Sequence, residues 1–164
     1  LSVDSTVWPK VVPGVDKSAR APTQWRDLWL WENLHQLREY IQQNRDAVQH
    51  PYMVIGITLL RDVLTMQEQP VWDALLATTV PASLNKKWTF LGYDVADEGF
   101  ISGLSDCGYE ASEQRLRIGW RPYLNDWHLF TKKDQAIKFK KMTDQRVPEH
   151  APFQVYGLYS LIHL

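Results

Sequence analysis

Apolar positions change their period several times along this chain, and each change marks an element. From Thr23 to Asn44, Trp25, Leu28, Trp29, Leu34, Leu37 and Ile41 recur close to every 3.6 residues, which predicts one long helix with a buried stripe. Thr23 is placed to cap it, and Asp27 lies near the positive end of its dipole. Leu30, Trp31 and Tyr40 widen the stripe, while Gln36, Arg38, Glu39, Gln42 and Gln43 are expected to face water. Tyr52 to Leu60, YMVIGITLL, is a nearly continuous apolar run. Such a run fits a strand covered on both faces, and a helix from Val54 to Met66 is the competing reading. Gly56 inside it points to a close backbone approach. Pro70 then opens a helix near 70–79 that carries Val71, Trp72, Leu75 and Leu76, and Pro81 ends it.

Trp88 to Tyr109, WTFLGYDVADEGFISGLSDCGY, divides in two. Aromatic and β-branched residues at 87–95 predict a central strand. The remainder, with Gly99, Gly103, Gly108, Ser102, Ser105 and Asp106, has the chemistry of turns and caps. A helix is expected over 110–124 on Leu116, Ile118, Trp120, Tyr123 and Leu124, although Gly119 and Pro122 oppose it. Another is expected over 132–142, with Thr131 as cap and Lys140 and Lys141 at its negative end. Phe153 to Leu164, FQVYGLYSLIHL, is apolar at both alternating sets of positions, as a strand inside a sheet would be.

The fold class that follows is α/β (or α+β): a mixed central sheet of at least three strands covered by helices. A length of 164 residues suits one domain, with the proline-containing 1–22 as an N-terminal arm. The hydrophobic share of 45% argues against a disordered chain. Cys107 is the single cysteine, so an internal disulfide and a cysteine-rich zinc site are excluded. No run approaches the length of a membrane span. A soluble chain in the cytoplasm is the expectation, and eight tryptophans are expected mainly in the core.

Charge is segregated along the sequence. Leu1 to Tyr93 carries nine basic and nine acidic residues. Asp94 to Glu113 carries six carboxylates (Asp94, Asp97, Glu98, Asp106, Glu110 and Glu113) and no Lys or Arg. Gln114 to Arg146 carries nine basic residues against three acidic. Clusters of one sign steer partners of the other, so an acidic, turn-rich surface after the 87–95 strand is a candidate partner-binding site. The competing reading is that the basic helices downstream neutralise it locally.

Catalytic constellations are scarce. Asp94, Asp97 and Glu98 after a strand suggest a Mg²⁺ site of a metal-dependent hydrolase or nuclease, though Asp97 and Asp106 are equally suited to caps and turns. Cys107 with His128 or His150 would make a thiol and base only if the fold joined them. Glu149-His150 in a proline-flanked loop fits a structural hydrogen bond. The five histidines have no metal-ligand spacing, and neither phosphate-binding nor dinucleotide-binding glycine motifs occur. Ser102 lacks the flanking glycines of a nucleophile elbow. Arg and Lys interleaved with Trp120, Tyr123, Trp127 and Phe130 would suit single-stranded nucleic acid, but the net charge of −1 argues for core packing instead.

The succession LGYDVADEGFISGLSDCGY, RPYLNDWHLF, KKDQAIKFKK and RVPEHAPFQVYGLY, over residues 88–164, resembles immunity proteins of contact-dependent growth inhibition and related polymorphic toxin systems. The resemblance implies a cytoplasmic antidote that binds and neutralises a cognate toxin domain of nuclease type. It brings no catalytic residue, and no cofactor, metal, membrane, direct nucleic-acid or small-molecule partner is expected with it.

Overall fold

In the computed structural model, residues 23–25, 28–30, 34–43, 53–70, 73, 87–97, 99–104 and 118–161 are described. The elements in order are β1 (Thr23–Trp25), β2 (Leu28–Leu30), α1 (Leu34–Gln43), β3 (Val54–Leu59), β4 (Trp88–Ala96), α2 (Lys133–Arg146) and β5 (Gln154–Leu161). Single 3₁₀ turns occupy Arg61–Val63 and Arg121–Tyr123. The chain is α/β, with helices accompanying a three-stranded sheet.

All three strands expected for that sheet are present, in the order β3-β5-β4. Both pairings are antiparallel where a mixed sheet was expected. The middle strand is β5 rather than β4. Its composition fits that place, because a strand flanked on both sides and covered on both faces favours apolar residues on both of its alternating sets of positions. Seven of its eight residues are buried.

The two faces of the sheet have separate cores. Val95 and Val155, which are register partners, face Leu104, Phe130, Ala136, Phe139, Val147 and Phe153. Phe139 and Ala136 come from α2, so the helix lies over this face. Trp120 fills the space beside it, with its ring 5.3 Å from that of Phe139 and 5.8 Å from that of Phe130. On the other face, Leu91, Ala96, Tyr156 and Leu158 pack with Leu129, and Ile55, Leu59, Leu64 and Phe100 lie at the edge. Leu129 and Phe130 enter opposite cores, as successive residues of an extended segment do. Phe130 and Tyr93 exchange backbone hydrogen bonds of 2.8 and 2.9 Å, which fixes that segment along the free side of β4.

Gly92 permits the close approach. Its φ is +146°, and a Cβ there would stand 2.6 Å from Leu129 Cβ. It also lies where the register between β4 and β5 slips, between Phe90 and Gly92.

Helix expectations fare unevenly. The helix expected over 132–142 is α2, longer by a turn and with no side-chain cap. Thr131 Oγ1 donates to Tyr123 O at 3.4 Å instead of capping. The helix expected over 23–44 is corrected at its start: Thr23–Trp25 and Leu28–Leu30 pair as antiparallel strands, and only Leu34–Gln43 is helical. Short Trp- and Leu-rich runs fit a hairpin and a helix equally well by spacing alone. Of the helix expected over 110–124, the described part is a short helical stretch at 118–120 that runs into the 3₁₀ turn carrying Pro122. Most of 70–79, and the whole of the 1–22 arm, lie outside the described residues.

Candidate functional site

β4 delivers Asp94 to the end of the sheet and hands the chain to Asp97, and both side chains turn inward. Asp94 is 8% exposed and Asp97 is 7% exposed. Asp94 Oδ1 accepts from the Val95 N–H at 2.8 Å and from Ser102 Oγ at 3.0 Å. Ser102 Oγ in turn accepts from the Leu104 N–H at 3.3 Å. Ser102 pairs with Ala96, and the Gly103 N–H donates to Val95 O at 2.8 Å, so the chain folds back against the strand it has just left.

Asp97 holds the bend between the two. Its Oδ1 accepts from the N–H groups of Gly99 at 2.8 Å and Ile101 at 2.9 Å. Its Oδ2 lies 2.9 Å from His150 Nδ1, and its backbone carbonyl accepts from the Phe100 N–H and from the Tyr156 hydroxyl. Phe100 adopts φ = 61°, left-handed backbone that this set of bonds maintains while its ring rests 4.8 Å from that of Tyr156. A short polar side chain that bonds the amides two and four residues ahead is turn chemistry, which the sequence offered for Asp97 as its alternative role.

Asp94 and Asp97 therefore lie inside the fold and not on the acidic surface expected for them. Glu98, Asp106, Glu110 and Glu113, and with them Cys107, lie outside the described residues. His128 is exposed, with φ = 58°, in a turn organised by Asn125. The Asn125 carboxamide donates to Leu91 O at 2.6 Å and accepts from the N–H groups of Trp127 and Leu129. Among the described residues, no group of three or more His, Cys, Asp or Glu side chains is arranged to hold a metal ion.

A second polar centre escaped sequence reasoning. Glu68 and Lys140 are both buried, with Lys140 Nζ 3.6 Å from Glu68 Oε1 and 2.8 Å from Asp144 Oδ2. Glu68 Oε1 accepts from Gln154 Nε2 at 3.0 Å, its Oε2 accepts from the Thr65 N–H, and Asp144 Oδ1 accepts from the Phe153 N–H at 2.7 Å. The turn from Thr65 to Glu68, which follows the 3₁₀ segment, is thereby tied to α2 and to the start of β5. Burial raises the Glu68 pKa, but the Thr65 amide, the Gln154 and Thr65 side chains and the Lys140 ammonium outweigh it, and the carboxyl is held below its ordinary value. A buried ion pair of this kind is weak evidence for added stability, because the desolvation of both charges offsets their attraction. Its only trace in the sequence is Lys140 and Asp144 at i, i+4 spacing.

No family model, curated protein or solved structure matches the chain. Among the described residues, no helix is long and apolar enough to cross a membrane.

Proposed function

We propose that the chain is a cytoplasmic immunity protein that binds a cognate nuclease-type toxin domain and occludes its basic active site. The observation that carries this reading is the internal use of Asp94 and Asp97. A metal-dependent hydrolase built on Asp94, Asp97 and Glu98 would need carboxylate oxygens turned toward a cation. Those of Asp97 are both engaged by amides and His150, and Asp94 Oδ1 is engaged by Val95 and Ser102. The pair serves instead to pin the beginning of the acidic stretch to the sheet. The partner-binding role then falls on Glu98, Asp106, Glu110 and Glu113, which continue that stretch without an intervening cation.

The mechanism is complementarity of charge and shape. A nuclease cleft is cationic because it receives phosphates, so a run of carboxylates is drawn to it and held where the substrate would lie. The chain needs no reactive group for this. The test is a titration of the nuclease activity of the proposed cognate toxin domain with the purified chain. Loss of activity complete at one equivalent supports the reading. Full nuclease activity in the presence of excess chain overturns it.

A further inference from the structure

β3 lies at an edge of the sheet. The Leu60 N–H donates to Val155 O at 3.0 Å, so at alternate residues Thr58, Gly56 and Val54 also turn their hydrogen-bonding groups toward β5. Ile55, Ile57 and Leu59 turn theirs the other way, and among the described residues nothing pairs with them. Natural edge strands are normally protected by a charge, a proline or a bulge. Val54–Leu59 contains no charge and no proline, and its register with β5 runs without a slip. Its flanks are apolar too, and Met53 and Ile57 are 42% and 37% exposed.

We propose that β3 pairs antiparallel with β3 of a second copy of the chain, about a two-fold axis through Ile57. The register is dictated by which amides point outward. With Ile57 opposite its own copy, Ile55 stands opposite Leu59, and each of these residues is one whose N–H and C=O point away from β5, while Gly56 and Thr58 face each other as non-hydrogen-bonded pairs. The three pairs Ile55–Leu59, Ile57–Ile57 and Leu59–Ile55 each exchange two hydrogen bonds, and the two sheets become one. On the face that carries Ile55 and Leu59, the exposed Ile57 side chains meet across the axis. No like charges oppose one another, since Tyr52 to Leu60 carries none. This pairing does not depend on the toxin-binding reading.

The experiment is sedimentation or light scattering of the full chain over a dilution series, with variants at Ile57. Wild type is expected at twice the mass of one chain when concentrated. Ile57→Lys and Ile57→Glu are each expected to be monomeric, because residue 57 meets itself, and their mixture is expected to restore the dimer as a heterodimer. A wild-type chain that stays monomeric throughout overturns the proposal, as do an Ile57→Lys chain that dimerises like wild type and a mixture that stays monomeric. Amide hydrogen exchange on the unaltered protein is the second readout, should the variants fail to fold. The amides of Ile55, Ile57 and Leu59 are expected to gain protection with rising concentration, and exchange independent of concentration contradicts the pairing.

Discussion

His150 Nδ1 and Asp97 Oδ2 stand 2.9 Å apart although 53 residues separate them in the chain. Between them they join the bend that follows β4 to the loop that precedes β5. A carboxylate with amide donors on one oxygen and an imidazole on the other is a three-way fastening, and it holds the bend from Asp97 to Ile101.

Removing that fastening is expected to cost stability. Asp97→Ala strands two amides and the imidazole, for a loss of about 3 kcal/mol, whereas Asp97→Asn keeps an acceptor for the amides and loses roughly 1 kcal/mol. Urea unfolding of both variants measures the difference. Equal, small losses would mean that water replaces the carboxylate readily.

Two glycines are expected to respond oppositely to alanine. Gly92→Ala places a Cβ at φ = +146° and 2.6 Å from Leu129 Cβ, for a cost of roughly 2–3 kcal/mol from strain and overpacking together. Among the described residues, a Cβ added at Gly119 would meet nothing within 4 Å, and Gly119→Ala is expected to be neutral or to stabilise by about 0.5 kcal/mol through the unfolded chain. Thermal melts of the pair decide it.

Thr143 is fully buried on α2, and among the described residues its Oγ1 has no hydrogen-bond partner. A buried hydroxyl without a partner costs about 1–3 kcal/mol, so Thr143→Val is expected to raise the melting temperature. A fall on substitution would show that the hydroxyl is satisfied in solution.

Glu68 makes stability depend on pH in a stated direction. Its folded pKa lies below its ordinary value of 4.5. The contribution is therefore present above that value and is lost as pH falls through the lower, folded one. Glu68→Gln is expected to weaken the protein at neutral pH and to flatten its decline as pH falls below the ordinary Glu68 value of 4.5. Denaturant midpoints across that range give both numbers, and an unchanged acid slope would remove Glu68 from the account of acid sensitivity.

Periodicity made the sheet legible. FQVYGLYSL is apolar at both alternating sets of positions, and it is the strand with neighbours on either side. KKDQAIKFKK gave α2 for the same reason. The hairpin at Thr23–Leu30 was not legible, because Trp25, Leu28 and Trp29 fit a helical spacing and the cross-strand pairing that decides the matter lies outside any local pattern. Asp97 was legible as a turn residue from the glycine two positions on. Its tie to His150, like that of Glu68 to Lys140, joins parts of the chain that only the fold brings together. The inward turn of Asp94 was hidden for another reason: strand alternation shows that neighbours face opposite ways, but not that both faces are covered.

The most direct test of the proposed toxin neutralisation by charge is the association rate of the chain with the nuclease-type toxin domain proposed as its partner, at low and high ionic strength. Wild type is compared with a Glu110→Lys/Glu113→Lys double variant. Wild type is expected to associate fast at low salt and to slow steeply as salt rises, and the double variant to associate about tenfold slower or more at low salt. Equal rates for the two proteins at low salt, with equal affinities, would contradict the role given to the acidic stretch.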